Sequence, residues 1–187
     1  EKTIFSKKKK VPNNLSIIKW RMIFCNQFCH PSTMFRKKLV DDGLYKYNEN
    51  YLVSQDYELW TKFILSNINF YILEDYLYFL RIHRKSVSIS KKQLQNDNSL
   101  NIGYNYLSKN IQFNVSKSDY NDLIYILCFH EYEYTNNKRR ITENFDSVLK
   151  VYLEIYEGLH IRKNQEIFNY YFIEDMNKFI NFIGLWK

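Results

Sequence analysis

The sequence predicts a helix-rich α/β chain: a mixed front portion with a few short strands, incomplete as a sheet, followed by a helical C-terminal bundle. Three observations carry this. Gly and Pro are scarce, at 4 and 2 in 187 residues, which argues against a turn-rich sandwich or barrel. Two short apolar runs, Phe70 to Leu73 and Leu77 to Ile82, flank Glu74-Asp75 and have strand composition. From about Lys91 the chain changes character, and helical periods follow in 91–109, 118–134, 143–157 and 163–184. The implied division is 1–90 and 91–187.

Residues 1–14 are polar and lysine-rich, end in Val11-Pro12-Asn13-Asn14, and read as a linker or loop. Leu15 to Asn26 carries Ile17, Ile18, Met22 and Ile23 at helical spacing, with Asn13 or Asn14 as cap. Phe28 to Arg36 leans towards β but is interrupted by Pro31, which suits an edge strand or extended segment. Asp41-Asp42-Gly43 signals a turn. Ser54 caps the next helix, which runs through Trp60 and Phe63 to about Leu65. Asp56 and Glu58 sit in its first turn, where the helix dipole favours negative charge. Asn67-Ile68-Asn69 then breaks it. Further on, Leu123, Ile126, Leu127 and His130 share one helical face, and Val148, Val151, Tyr152 and Ile155 share another.

Hydrophobic residues make up 45% of the chain and charged residues 25%, so it is globular material rather than a disordered tail. The formal net charge of +7 suits anionic partners: nucleic acid, acidic lipid headgroups or the diphosphate of a sugar nucleotide. The charge is dispersed over Lys7 to Lys10, Lys37-Lys38, Lys91-Lys92 and Lys138-Arg139-Arg140, for which solvated faces are the plain reading. Three cysteines without framework spacing fit a reducing cytoplasm. Cys25, Cys29 and His30 lack the second ligand pair that a zinc site needs. No run approaches the roughly 18 apolar residues of a membrane span. The N-terminal lysines lead into no apolar stretch of a signal peptide. A chain opening Glu1-Lys2-Thr3 reads as a piece of something longer.

Three segments resemble family 2, GT-A-fold glycosyltransferases, in order and at similar spacing. They are His30-Pro31-Ser32-Thr33-Met34-Phe35-Arg36; Asp42-Gly43-Leu44-Tyr45 leading to Gln55-Asp56-Tyr57-Glu58-Leu59-Trp60; and Tyr78-Phe79-Leu80-Arg81-Ile82-His83, followed by Val87-Ser88. The resemblance implies a partial GT-A (Rossmann-like) mixed sheet, with 1–90 as the acceptor-side part of the core and 91–187 as a helical extension. It implies an inverting, nucleotide-sugar-dependent transferase of bacterial surface polysaccharide or glycan assembly, cytoplasmic or at the inner membrane face. Asp56 matches the general base, which takes the proton of the attacking acceptor hydroxyl. By the resemblance, Gly43, Gln55 and Trp60 fall in acceptor-binding positions, Arg81 and Arg84 would face the donor diphosphate or else be plain surface charges, and His83 matches a metal ligand or else is a structural histidine. The cofactor implied is a divalent metal, Mn or Mg, with most ligands in an N-terminal half carrying D-x-D. Departures are plain: Gln55 replaces an acidic residue, Leu44 a second Gly, and no D-x-D precedes the first segment. This chain alone would then be inactive.

The partners implied are a nucleotide-sugar donor and a glycan or lipid-linked acceptor, with peripheral membrane contact and a homodimer compatible with them. Two other readings stand beside this. A basic, aromatic-rich helical module would bind single-stranded nucleic acid by stacking, but many Tyr and Phe fall at core-like spacing and no recognised motif is present. A non-catalytic glycosyltransferase remnant would serve as a partner-binding subunit. In either GT-A reading, a sheet lacking its other half exposes an edge prone to association.

Overall fold

Asn14 opens the first helix by accepting hydrogen bonds at Oδ1 from the N–H groups of Ser16 (3.0 Å) and Ile17 (3.2 Å), so two otherwise unpaired donors are satisfied. The computed structural model describes residues 13–73, 75, 77–79, 86–110, 115–128, 141, 143–158 and 165–184, with main chain only at 158, 165–169 and 182–184. The helices are α1 (Leu15–Arg21), α2 (Lys38–Asp41), α3 (Gln55–Leu65), α4 (Val87–Ser90), α5 (Lys92–Asn110), α6 (Lys117–Cys128), α7 (Phe145–Gly158) and α8 (Gln165–Gly184), with a 3-10 turn at His30–Ser32. Helix α3 packs on α5, α4 on α5, α5 on α6, and α6 on both α7 and α8.

The expected apolar faces are buried. Ile17, Ile18, Met22 and Ile23 are enclosed, as are Leu123, Ile126 and Leu127 of α6 and Val148, Val151, Tyr152 and Ile155 of α7. One apolar cluster includes residues from α1, α3, α5, α6, α7 and α8, crossing residue 90. Each fully buried Ile or Leu stabilises the fold by about 1.5–3 kcal/mol.

The end of α1 lies inside this core, where its last carbonyls need donors. They come from side chains of three other helices. Tyr57 Oη of α3 donates to Met22 O at 2.5 Å, Tyr120 Oη of α6 to Ile23 O at 2.7 Å, and Tyr106 Oη of α5 to Lys19 O at 3.2 Å. Burial pushes the Tyr57 and Tyr120 hydroxyls well above the usual tyrosine pKa, so both stay protonated and donate.

The described residues contain no strand. The α/β expectation and the partial GT-A sheet are therefore corrected: the fold is helical. Phe28 to Arg36 is not an edge strand, because Pro31, its φ fixed near helical values, enters the first turn of a 3-10 helix instead. Phe70 to Leu73 and Leu77 to Phe79 are irregular. Their composition suits β structure, but a ladder needs a second segment beside the first. Ser54 does precede α3, yet as a left-handed residue (φ 64°) with no side-chain cap; its Oγ donates instead to Gln95 O at 3.3 Å.

Candidate functional site

The chain leaving α3 turns back at Asn67 (φ 56°) and is pinned when Ile68 N–H donates to Phe63 O at 2.9 Å. From there to Leu73, burial alternates residue by residue. Ile68, Phe70 and Ile72 pack against the core, while Asn69, Tyr71 and Leu73 face solvent. This period of two is that of a half-buried strand. The inward face is held by aromatics: Phe70 stacks on Phe28 at 4.8 Å and lies beside Trp60 and Phe63. The outward face is apolar too, with Tyr71 77% and Leu73 60% exposed. Among the described residues, no main-chain to main-chain hydrogen bond involves Asn69 to Leu73; the Ile72 N–H donates to Asn13 Oδ1 at 3.1 Å. The segment thus presents both unpaired main-chain groups and apolar side chains, as a sheet edge does. Met34, Leu52, Leu77 and Phe79 are further large hydrophobics exposed in the non-helical parts around α3.

The residues singled out in the sequence are placed as follows. Asp56 lies in the first turn of α3 and accepts from Asn26 Nδ2 at 3.0 Å. Gln55 begins that helix, half-buried. Trp60, by contrast, is buried, its ring against Phe28, His30, Phe63 and Phe70. Gly43 takes φ 69° in an exposed turn with open space around it. The structure therefore brings Asp56, Gln55 and Trp60 onto one helix and leaves Gly43 in a separate turn. Arg81, His83, Arg84 and His130 lie outside the described residues. Sequence reasoning missed a string of polar groups beside α3, in which Tyr45 Oη meets Tyr47 Oη at 2.7 Å and Tyr47 Oη meets His30 Nε2 at 3.2 Å. Their alternation along Tyr45-Lys46-Tyr47 was the available signal. Burial raises the Tyr47 hydroxyl pKa, aided by Tyr45 and the charge of Asp56.

A buried charge cluster sits at the far side of α1. Asp175 of α8 is fully enclosed and accepts from Arg21 Nη1 (3.1 and 3.2 Å), Lys178 Nζ (3.0 Å) and Tyr152 Oη (3.2 Å). No local pattern in the sequence pairs Arg21 with a residue 154 positions away.

The glycosyltransferase expectation is overturned on this fold, together with the nucleotide-sugar chemistry and the enzyme class that went with it. A GT-A site is built at the ends of sheet strands, and the described residues supply none. Among them, no three His, Cys, Asp or Glu side chains converge to hold the Mn or Mg that the resemblance implied. No helix of the described residues is long and apolar enough to cross a membrane. No family model, curated protein or solved structure matches the chain.

Proposed function

We propose that the chain is a protein-docking module that receives an extended partner segment along Ile68 to Leu73. The observation that carries this is the alternating, apolar segment seated on the aromatic face of α3, in which Asn69, Tyr71 and Leu73 make no main-chain hydrogen bond among the described residues. Strand addition uses both of its features: main-chain hydrogen bonds give affinity, and alternate side chains give specificity. The partner supplied by the sequence itself is the same segment of a second copy. Asn69-Phe70-Tyr71-Ile72-Leu73 carries no charge, Gly or Pro, and antiparallel pairing about a two-fold axis at Tyr71 sets Phe70 opposite Ile72 and Tyr71 opposite its own copy. Three unpaired cysteines, Cys25, Cys29 and Cys128, support a reducing, cytoplasmic setting. Four of the aromatic residues that a nucleic-acid reading would need for stacking, Tyr57, Tyr106, Tyr120 and Tyr152, are spent in the core.

The test is hydrogen exchange and binding of a labelled peptide of residues 68–75. In dilute protein the Tyr71 and Leu73 amides should exchange freely and become protected when the peptide is added. Tyr71→Asp or Leu73→Lys, each removing an apolar side chain worth about 1.5–3 kcal/mol when buried, should weaken binding at least about tenfold. Amides already protected in the dilute chain, or a peptide that binds both variants as well as the parent, would remove this function.

A further inference from the structure

Between Thr33 and Tyr45 the chain makes a closed excursion whose stem is fixed. Thr33 N–H donates to His30 O at 3.1 Å, and Tyr45 N–H donates to Leu39 O at 2.8 Å. The Phe35 ring stacks on Tyr45 at 4.0 Å, and Tyr45 lies beside Phe63 of α3. Leu39 packs against the core. The rest of the excursion is turned to solvent. Met34 is 98% exposed, the most of any large hydrophobic among the described residues, and Val40 and Leu44 are exposed as well. Gly43, at φ 69°, makes the turn that sets Leu44 outside.

Cations flank these apolar side chains. Arg36, Lys37 and Lys38 follow Met34-Phe35 directly, Lys46 follows Tyr45, and all four are exposed. Lys38 is paired with Asp42 at 3.2 Å. Among the described residues no ion pair engages Arg36, Lys37 or Lys46. From Thr33 to Lys46 these four cations stand against two carboxylates, Asp41 and Asp42, so the excursion carries two net positive charges.

We infer that this excursion is a contact for an anionic membrane surface, with Met34 and Leu44 entering the headgroup boundary while Arg36, Lys37 and Lys46 hold acidic lipid headgroups. The combination of features selects this partner. A second copy would bring the same cations face to face. A nucleic acid would use the cations but leave Met34 and Leu44 in water. A bilayer of acidic lipid takes both, because apolar area buried at the interface and attraction to the headgroups add, and it yields around a side chain that has no pocket of its own. The pinned stem means that little order is lost on contact. This surface is separate from the Ile68 to Leu73 segment and does not depend on its pairing.

The experiment sediments the full chain with vesicles of phosphatidylcholine alone and of phosphatidylcholine with roughly one-third phosphatidylglycerol. The chain should partition onto the anionic vesicles and not onto the neutral ones. Lys37→Glu should weaken that partition at least about fivefold, whereas Lys150→Glu, the same charge change at an exposed lysine of α7, should leave it nearly unaltered. Met34→Asp should weaken it at least about tenfold. Both side chains of the excursion are in solvent, so neither change disturbs packing, and circular dichroism checks that the variants are folded. Equal partition onto both vesicles, or onto neither, removes the assignment. So does a Lys150→Glu loss as large as that of Lys37→Glu, which would mean that net charge alone is at work. If Met34→Asp partitions like the parent, the contact is with polyanions in general and the membrane assignment fails.

Discussion

Gly103 stands in the middle of α5, where alanine would ordinarily favour the helix by about 1 kcal/mol. Here the sign reverses. A Cβ at this position would collide with Tyr120 Oη, and would lie 2.8 Å from the Ile23 carbonyl and 3.1 Å from Tyr57 Oη. Those are the groups of the hydrogen bonds that cap α1, so the helix must approach without a side chain. Gly103→Ala is therefore expected to destabilise the chain by about 2–3 kcal/mol, read as a lower urea midpoint at unchanged slope. Stabilisation would show that the three helices have room to part. The same residue shows what sequence reading can reach: glycine within a helical period is visible, but the tyrosine hydroxyls that require it come from positions 57 and 120.

At the scale of elements, α1 is joined to α8 by charge as well as by apolar packing. Arg21, with its side chain 13% exposed, and the fully buried Asp175 form an ion pair whose remaining acceptor capacity is met by Lys178 and Tyr152. Removing one partner strands the other. Asp175→Ala should cost about 3–5 kcal/mol, whereas Arg21→Met with Asp175→Leu should recover most of that loss, because the desolvation of both charges disappears with them. Equal losses in the single and the double variant would mean that packing rather than charge is at stake.

The helices of this bundle were legible where the signal is local. The Asn14 cap, the apolar face of α1, the start of α3 and the periods of α5 to α7 all lie within a few residues of one another. The strands were misread because β composition is local while pairing is not. Ile68 to Leu73 has the alternating burial of a strand and lacks only the neighbour. Of the candidate site, the carboxylate at the start of α3 was where the pattern put it, but the sheet that gave it a role was supplied by resemblance alone. The Arg21–Asp175 contact joins distant segments, and nothing near either residue encodes its partner.

For the whole molecule, net charge and the apolar segment oppose one another. Two copies at +7 repel at long range, while pairing along 68–73 contributes only at contact. Salt screens the first and leaves the second. Sedimentation should therefore show self-association strengthening as ionic strength rises from about 0.02 to 0.5 M, where the screening length falls from roughly 20 to 4 Å. Binding that weakens over this range would be the signature of a polyanion partner.

The capping of α1 has a consequence for the order in which the chain becomes itself on the ribosome. Its carbonyls at Lys19, Met22 and Ile23 are met by Tyr106, Tyr57 and Tyr120, and the Phe24 carbonyl by Cys128. The helix is among the first described stretches to be made, yet its last donors emerge about a hundred residues later, some 5–20 seconds at ordinary elongation rates. Through that interval the end of α1 must stay hydrated, and so outside any closed core. Synthesis in one direction thus leaves this helix to be locked by segments made after it, and the hub closes only when α6 has left the tunnel.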